Sequence, residues 1–464
     1  MRFRLSVFFC CLALLWLGGC GSVTTRKSFY EPVVTELQAG NFRTAAARLD
    51  SARADGKYGE KDRLLYFVDA GLAHHYAGNL DTSNILLDQA DLASDELFTK
   101  SISRAAVSLL LNDNVLEYAG EDYEILYTDL IGALNYLLLG KFDDAFVEIR
   151  QAQDKLNLLE DKYADAAREF NRGQSEDTTD VAIAYDVREV RFYNDAFARY
   201  LAMHMYAADG KFDDARIAAD YLVDAFKSQP HIYPFEMPAV SWRCNEGKAL
   251  LSVVALTGLS PVKEALSLRI RTDKDLNLVQ VLYDGGPNDQ AEYGHLPIPV
   301  SEDFYFKFAI PVLHDRPTNV STIRVFAGDV LLSELSLLED VGLVARETFE
   351  ARRTLIYVRS VARAVAKGLA AHKAKKKADT GGLEGWLKKA AIDVATDISE
   401  NADLRCARLL PGRIYAGDLE VDPGIYDLTI DFLDSGGLLV NRQMVNGFEV
   451  RPGEFNLVQV LSLQ

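Results

Sequence analysis

The 464-residue sequence lacks the short motifs that mark several common enzyme classes. It has no G-x-S-x-G, no H-E-x-x-H, no phosphate-binding Gly-rich loop and no C-x-x-C. Seven histidines are present, but a catalytic histidine needs an orienting partner and a nucleophile within hydrogen-bond reach, which sequence alone does not show. The sequence therefore predicts no catalytic residue, no cofactor and no metal site, and we expect a protein that binds rather than catalyses.

Basic residues are scarce relative to acidic ones. The chain has 50 lysines and arginines against 68 aspartates and glutamates, so its formal net charge is −18 at pH 7. The phosphates of nucleic acids and anionic lipid surfaces repel a body this acidic. The composition therefore argues against nucleic acid as a partner.

Cysteine is also rare, with five residues in the whole chain. Cys10, Cys11 and Cys20 lie within the first twenty residues. The other two, Cys244 and Cys406, either form a disulfide or remain as two buried free thiols. Their positions in the sequence do not show whether they are close, so both alternatives stay open.

The first twenty residues have the length and charge order of a signal peptide. Arg2 and Arg4 precede an apolar stretch over residues 5–17, and Leu17-Gly18-Gly19-Cys20 ends the segment. The apolar stretch is too short for a stable transmembrane helix. Its end resembles the bacterial lipobox, in which an aliphatic residue and two small residues precede a cysteine. An ordinary secretory signal cut near the same place is the alternative.

The lipobox resemblance implies that residues 1–19 are removed, that Cys20 becomes the lipidated first residue, and that residues 20–28 form a tether. Several acyl chains hold a protein firmly, because each buried CH₂ contributes about 0.8 kcal/mol. Gly21 and Ser22 follow the cysteine, and the absence of aspartate at the second position resembles lipoproteins that are passed to the outer membrane. We therefore expect a lipid-anchored protein that faces the periplasm.

The hexapeptide GKFDDA occurs twice, at residues 140–145 and 210–215, and fainter copies begin at Gly40 and Gly78. Apolar or small residues follow at three- and four-residue steps, which is the spacing of one buried helical face. Glycine can end the preceding helix because it tolerates a positive φ. The aspartates then favour the positive end of the next helix dipole. The motif predicts a helical hairpin, since two carboxylates without a third ligand seldom hold a metal.

These hairpins resemble the second half of the tetratricopeptide (TPR) consensus, and the first two copies lie 38 residues apart, close to the 34-residue TPR period. Gly71 and Tyr136 fall at marked positions of the first half, but its tryptophan is absent. The resemblance implies a TPR-like helical domain over residues 29–256. Residues on its concave side are candidates for binding a partner, although aromatic residues at helical spacing also occur as ordinary packing. These candidates are His75, Tyr127, Tyr200 and His204.

The pattern changes after residue 256, where we expect a β-rich segment over residues 257–345. Segments 275–286 and 304–313 are rich in β-branched and aromatic residues and end at or near glycine or proline, as strands do. These features indicate strands rather than further helices.

Two segments near the end share the pattern V-x-P-G-x-aromatic-x-L, at residues 421–428 and 450–457. Pro-Gly favours a tight turn, and the aromatic residue and the leucine then face the same side of the next strand. The pattern resembles small periplasmic β-sandwich modules. We expect residues 401–464 to complete a β-sandwich-like domain.

Residues 346–400 are predicted to form a helical insertion. An apolar stripe at helical spacing is followed by Gly381-Gly382 and by a second helix from about Leu383 to Ile398. The insertion also carries a lysine cluster that is a candidate contact for an anionic surface. The alternative is a solvated helix end whose cations interact with the helix dipole. The cluster consists of Lys373, Lys375, Lys376 and Lys377.

The whole layout resembles a family of bacterial TPR-containing envelope lipoproteins. The likeness is clearest over ALNYLLLGKFDDAFVEIRQAQDKL and ADLRCARLLPGRIYAGDLEVDPGIYDL. It implies an α+β multidomain fold: an N-terminal TPR-like α-helical solenoid, followed by a C-terminal β-sandwich-like domain with a helical insertion. We expect a non-enzymatic adaptor for an envelope protein in secretion, surface-appendage assembly or cell-wall synthesis. The alternative is a binder of peptidoglycan or another envelope glycan through the β domain and the basic helix.

Overall fold

Helices form the N-terminal part of the protein, and strands form most of its C-terminal part. The computed structural model describes residues 27–104, 116–176, 191–276, 278–283, 292–296, 303, 305–377 and 402–464. Within these residues, the mixed α+β class predicted from the sequence is confirmed. None of the described helices is long and apolar enough to cross a membrane.

The N-terminal helices form four consecutive pairs. The two helices of each pair contact each other, and the second helix of a pair also contacts the first helix of the next. The pairs are α1 (Lys27–Gln38) with α2 (Phe42–Ala54), α3 (Arg63–Tyr76) with α4 (Leu80–Arg104), α5 (Asp122–Leu138) with α6 (Phe142–Glu176), and α7 (Ala196–Ala208) with α8 (Phe212–Ser228).

Each pair turns at one of the glycines that begin the repeated motif, as predicted. The Gly140 N–H donates to the Leu137 carbonyl at 3.0 Å, and the Lys141 N–H donates to the Tyr136 carbonyl at 2.8 Å. These two bonds form a Schellman motif, which requires a left-handed residue after the helix. The four glycines all have positive φ: Gly40 (77°), Gly78 (76°), Gly140 (70°) and Gly210 (73°).

The second helix of each pair begins as the motif predicts. Asp143 and Asp144 lie in the first turn of α6, where carboxylates interact favourably with the helix dipole. Ala145 is fully buried. The paired helices also approach closely. A Cβ on Gly71 of α3 would lie only 2.5 Å from the Leu87 side chain of α4.

The strands and one long helix follow in the second half of the chain. The strands are β1 (Ala249–Leu259), β2 (Val262–Asp273), β3 (Leu278–Tyr283), β4 (Glu292–Leu296), β5 (Tyr305–His314), β6 (Thr322–Ala327), β7 (Val330–Asp340), β8 (Pro411–Val421), β9 (Gly424–Leu433), β10 (Leu439–Val450) and β11 (Asn456–Ser462). The helix α9 (Val341–Lys377) lies between β7 and β8.

Seven strands form one sheet in the order β10-β9-β6-β7-β8-β1-β11. Its neighbours are antiparallel except for β1 and β11, which run parallel. The two outer strands approach each other, since Asn441 of β10 donates to the Leu461 carbonyl at 3.3 Å and the Leu461 N–H donates to Gln443 at 3.0 Å. The sheet is therefore nearly closed and barrel-like, and not the pair of stacked sheets that the β-sandwich resemblance implies.

A second sheet has the order β4-β3-β2-β5. Helix α9 packs against β5 of this sheet. It also reaches β4, where the rings of Tyr293 and Tyr357 lie 5.5 Å apart. The predicted strands over 275–286 and 304–313 correspond to β3 and β5, so both are confirmed within the described residues.

Strand β1 contributes to two hydrophobic cores, one inside the seven-stranded sheet and one between this sheet and the helices. Val253 and Ala255 belong to the core inside the curled sheet, whereas Val254 and Leu256 belong to the core that the helices build. Successive side chains of a strand point to opposite faces. Strand β1 is therefore buried on both faces and joins the two parts of the molecule.

Two predicted boundaries differ from the structure. The last paired helix ends at Ser228 and β1 begins at Ala249, so the boundary placed at residue 256 falls inside a strand. The long helix begins at Val341, before the insertion predicted from residue 346. The first difference has a physical reason: a strand buried on both faces shows a continuous apolar run, which periodicity does not distinguish from a buried helix.

We expect Gly140→Ala to lower the free energy of unfolding by about 1 kcal/mol, because a residue with a Cβ is disfavoured at positive φ. Gly140→Asn is the matched control, since asparagine is the other residue found at this helix position, and we expect it to cost less. Urea denaturation followed by circular dichroism measures both variants. An alanine variant as stable as the parent would contradict the role given to this turn.

Candidate functional site

The four residues predicted to bind a partner lie between the helices and the C-terminal part of the chain. All four are at most 4% exposed. Three of them hydrogen-bond to strands β8 or β11, because the seven-stranded sheet covers the side of the helices that was predicted to be open. That surface is therefore not accessible to another protein in this structure. The four residues are His75 and Tyr127, on α3 and α5, and Tyr200 and His204, both on α7.

His75 is held as a neutral imidazole. Its Nδ1 donates to Asn135 Oδ1 at 2.6 Å, and its Nε2 accepts from the Gln459 amide of β11 at 2.7 Å. Burial lowers the pKa of His75 to about 4, which agrees with a neutral ring. Tyr127 donates its hydroxyl to Asp195 at 3.2 Å, next to the start of α7. Both residues therefore have packing and hydrogen-bonding roles inside the protein.

Asp418 of β8 interacts with the other two candidates, Tyr200 and His204. Its carboxylate accepts from the Tyr200 hydroxyl at 2.8 Å, the Ser252 hydroxyl at 2.7 Å and the Ser241 N–H at 3.0 Å. The His204 Nε2 lies 3.1 Å from the same carboxylate. Burial would raise the pKa of Asp418, but His204 and these hydrogen bonds lower it below its usual value.

This cluster contains a serine, a histidine and an aspartate, but not in the order of a catalytic triad. In a triad the serine hydroxyl donates to the histidine, which the aspartate orients. Here Ser252 donates to Asp418 instead. The ring of Phe455 also stacks on His204 with a centroid distance of 5.0 Å. The cluster is therefore suited to joining α7 to the sheet rather than to activating a nucleophile.

Residues 402–410 form an irregular segment that the helical pairs hold. Arg405, which is 1% exposed, donates to Asp62 at 3.0 Å and makes a bidentate pair with Asp403 at 2.8 and 2.9 Å. A buried guanidinium is stable only when its charge and donors are satisfied. The arginine therefore ties this segment to the residues just before α3.

Side chains of the helices also bind the main chain of the same segment. The Ala407 N–H donates to Glu124 of α5 at 2.7 Å, and the Arg408 N–H donates to Asp69 of α3 at 2.9 Å. Carboxylates of α3 and α5 thus hold a segment of the same chain through its main-chain N–H groups.

The two remaining cysteines are free thiols. Cys406 is buried within the 402–410 segment, where its sulfur accepts from the Lys263 N–H at 3.5 Å, and Cys244 is exposed. The structure therefore holds no Cys244–Cys406 disulfide. The alternative of free thiols is found, although only one of them is buried.

Two predicted contact sites fall outside what the structure describes. Cys20 lies outside the described residues. The lysine cluster lies at the end of α9, and the side chains of Lys373, Lys375, Lys376 and Lys377 are not described. The lipid attachment and the contact with an anionic surface stay predictions.

An accessible cleft of about 610 Å³ lies where the third and fourth helical pairs meet the turn between β10 and β11. We call it the hairpin cleft. Leu138 and Phe142 flank the Gly140 turn on one side, together with Phe146 of α6. Phe448 and Phe455 line it from the sheet. The cleft therefore has apolar walls drawn from both parts of the molecule.

The rim of the hairpin cleft is acidic. Asp143 and Asp209 line it from the helices, and Glu449 and Glu454 line it from the sheet. The one arginine among the lining residues, Arg451, is already paired with Glu449 at 2.6 Å and lies 3.6 Å from Glu454. The arrangement can hold an apolar side chain beside a positive charge.

Sequence reasoning selected parts of this cleft without recognising the site. The 140–145 motif was interpreted as a helix turn, and the 450–457 pattern as a strand turn. Both motifs place phenylalanine next to a carboxylate, as Phe142-Asp143 and Glu454-Phe455. This shared feature was the one signal in the sequence for a cleft with apolar walls and an acidic rim. Their meeting could not be predicted, because the two motifs lie on different elements far apart in the chain.

Comparison of the chain with protein-family models, with curated proteins and with solved structures finds no match.

The buried carboxyl group of Glu124 has a predictable effect on stability. Burial and the neighbouring Glu121 raise its pKa to about 7. A carboxyl group with a raised pKa stabilises the folded state below its unfolded pKa of about 4.3, and this contribution is lost as the pH rises through the folded pKa. We therefore expect the contribution of Glu124 to the free energy of unfolding to fall by on the order of 2–3 kcal/mol as the pH rises from 5 to 8.

Urea denaturation of Glu124→Gln across this pH range checks the expectation. The variant loses hydrogen bonds and is less stable at pH 5, but its stability falls less steeply toward pH 8. Glu449→Gln is the matched control, because Glu449 is exposed and its pKa is lowered by Arg451. If Glu124→Gln and the parent show the same slope, Glu124 does not titrate as described.

Proposed function

We propose that the protein is a bacterial envelope lipoprotein that acts as a non-enzymatic, TPR-type adaptor for another envelope protein. The lipobox-like residues Leu17-Gly18-Gly19-Cys20 support an anchor at Cys20 in the outer membrane, with the body in the periplasm. Four successive helical pairs with the same glycine turn support a TPR-like solenoid. The resemblance to TPR-containing envelope lipoproteins supports both.

The hairpin cleft is the observation that carries the proposal. The sheet and the 402–410 segment occupy the inner side of the helices, so we place the partner site at this accessible margin. Its volume of about 610 Å³ lies within the range of clefts that hold ligands, roughly 300–1,000 Å³. An apolar centre with a charged rim also has the anatomy of a protein interface, in which a few buried aromatic contacts supply most of the affinity.

The charge of the rim indicates what the partner presents. Even with Lys211, which pairs with Asp209 at 2.6 Å, the carboxylates around the cleft outnumber the cations. The whole chain is also strongly acidic. We infer that the cleft takes an extended segment of an envelope protein with an aromatic or aliphatic side chain next to lysine or arginine, since opposite charges favour the encounter.

The positions of two histidines that could perform acid–base chemistry also fit binding rather than catalysis. His75 is neutral between Asn135 and Gln459, and His204 is covered by Phe455 beside Asp418. Both histidines hold the helices to the sheet, and neither lines the hairpin cleft. This placement supports an adaptor whose buried polar groups are structural.

We expect a fluorescent peptide with phenylalanine between two lysines to bind the full chain with micromolar affinity, as measured by fluorescence anisotropy. A peptide with glutamates in place of the lysines should bind much more weakly, because the rim repels it. Leu138→Asn should weaken binding of the lysine peptide by about tenfold, since it replaces an apolar side chain of the wall with a polar amide and leaves the charge of the rim unchanged. Binding should also weaken as salt is added.

Leu276→Asn is the matched control, because Leu276 is 70% exposed and lies outside the cleft. A photo-crosslinking residue at position 138 or 276 then tests the site in the native envelope. We expect position 138, but not position 276, to capture one defined protein, and free lysine peptide should compete with that capture. Equal binding of both peptides, or crosslinks independent of position, would refute the adaptor site.

A further inference from the structure

A second cleft, smaller and more polar, lies on a different part of the molecule. It encloses about 390 Å³ between the end of β1, the residues after β5, the start of α9 and the start of β8. Three arginines line it, Arg316, Arg346 and Arg413, and two carboxylates, Asp315 and Asp340, lie among them. We call it the arginine cleft.

Two of the arginines are paired within the cleft, and the third is not. Arg346 pairs with Asp315, and Arg413 donates to Asp340 at 3.1 Å. Arg316 donates only to backbone carbonyls, those of Ser260 and Arg408, both at 2.7 Å, and no described carboxylate forms an ion pair with it. Burial lowers the pKa of Arg316 to about 10, and Asp69 nearby offsets only part of this effect.

The start of α9 also lines the cleft, through Gly342 and Leu343. Asp340 accepts from the Leu343 N–H at 3.2 Å. The N–H of Gly342 belongs to the first turn, which helix geometry leaves without an intrahelical acceptor. The lack of a side chain at Gly342 keeps the cleft open there, since a Cβ would lie 3.0 Å from Asp340 and 3.5 Å from Pro261.

A buried hydroxyl beside the cleft also lacks a partner. The Ser260 Oγ makes no hydrogen bond within the described residues, and the residues on either side of it, Leu259 and Pro261, both line the cleft. Ser260 itself is not among the residues that line the cleft, so its hydroxyl is not counted among the donors to a ligand.

We propose that the arginine cleft binds a phosphate group. The three arginines exceed the two carboxylates by one positive charge, and each guanidinium has more donors than its present partners use. Phosphate accepts from several arginines at once and is favoured at helix N-termini. Phosphate as a dianion also competes for the arginines better than a monoanion does, since two carboxylates of the cleft already pair with them. The phosphate belongs either to a lipid headgroup or to a free phosphate compound.

Calorimetric titration of the full chain in non-ionic detergent, at constant ionic strength, tests the site. We expect inorganic phosphate to bind more tightly than acetate. The double variant Arg346→Gln/Arg413→Gln should weaken phosphate binding by about tenfold or more. Asp315→Asn should strengthen it by about threefold to tenfold, because it removes a competing charge. Arg451→Gln, in the separate hairpin cleft, should leave phosphate binding unchanged.

A second arm distinguishes the sources of the phosphate. Water-soluble dihexanoyl phosphatidic acid is titrated below its micelle concentration into the same variants. Tighter binding of this lipid than of inorganic phosphate, with the same dependence on the arginines, supports a headgroup site. Equal or weaker binding supports a free phosphate. If neither probe binds the parent and Asp315→Asn, or if the double variant binds as well as the parent, the proposal is overturned.

Discussion

Strand β1 has apolar side chains on both faces, and each face contributes to a different core. Val253 and Ala255 fill the inside of the nearly closed sheet, while Val254 and Leu256 pack with the paired helices. Apolar burial contributes roughly 25 cal/mol per Å² removed from water, so separation of the two parts would expose the outward side of the sheet together with the inner side of the helices. The helical pairs and the outward face of the sheet are for this reason packed as one unit.

Polar side chains caught at this contact must find partners there, because an unpaired buried polar group is costly. Asp418 satisfies Tyr200 and Ser252 together, and Arg405 is neutralised by Asp62 and Asp403. Residues 402–410 add an irregular segment whose main-chain N–H groups are bound by acidic side chains of α3 and α5. The inner side of the helices, which a solenoid could offer to another protein, is thus used within the chain.

We therefore place binding at the margins of the contact rather than at its centre. The hairpin cleft lies where the helical turns meet the β10–β11 turn, and its acidic rim and apolar walls fit a basic, apolar segment. The arginine cleft lies where β1, β8 and α9 begin or end, and its charge has the opposite sign. In the function we propose, the two clefts of opposite charge hold a protein segment and a phosphate group at the same time.

The sequence by itself determined the local features. Gly140 and Gly210 predict helix turns because only a residue free to take a positive φ ends a helix in this way, and Pro452-Gly453 predicts the turn between β10 and β11. Residue spacing also indicated which helix face is buried. It did not indicate what covers that face, so His75 and His204 were assigned to a partner rather than to Gln459 and Asp418. Only the tertiary structure decided this, because contacts between distant residues depend on how the sheet docks on the helices, and no local pattern encodes that placement.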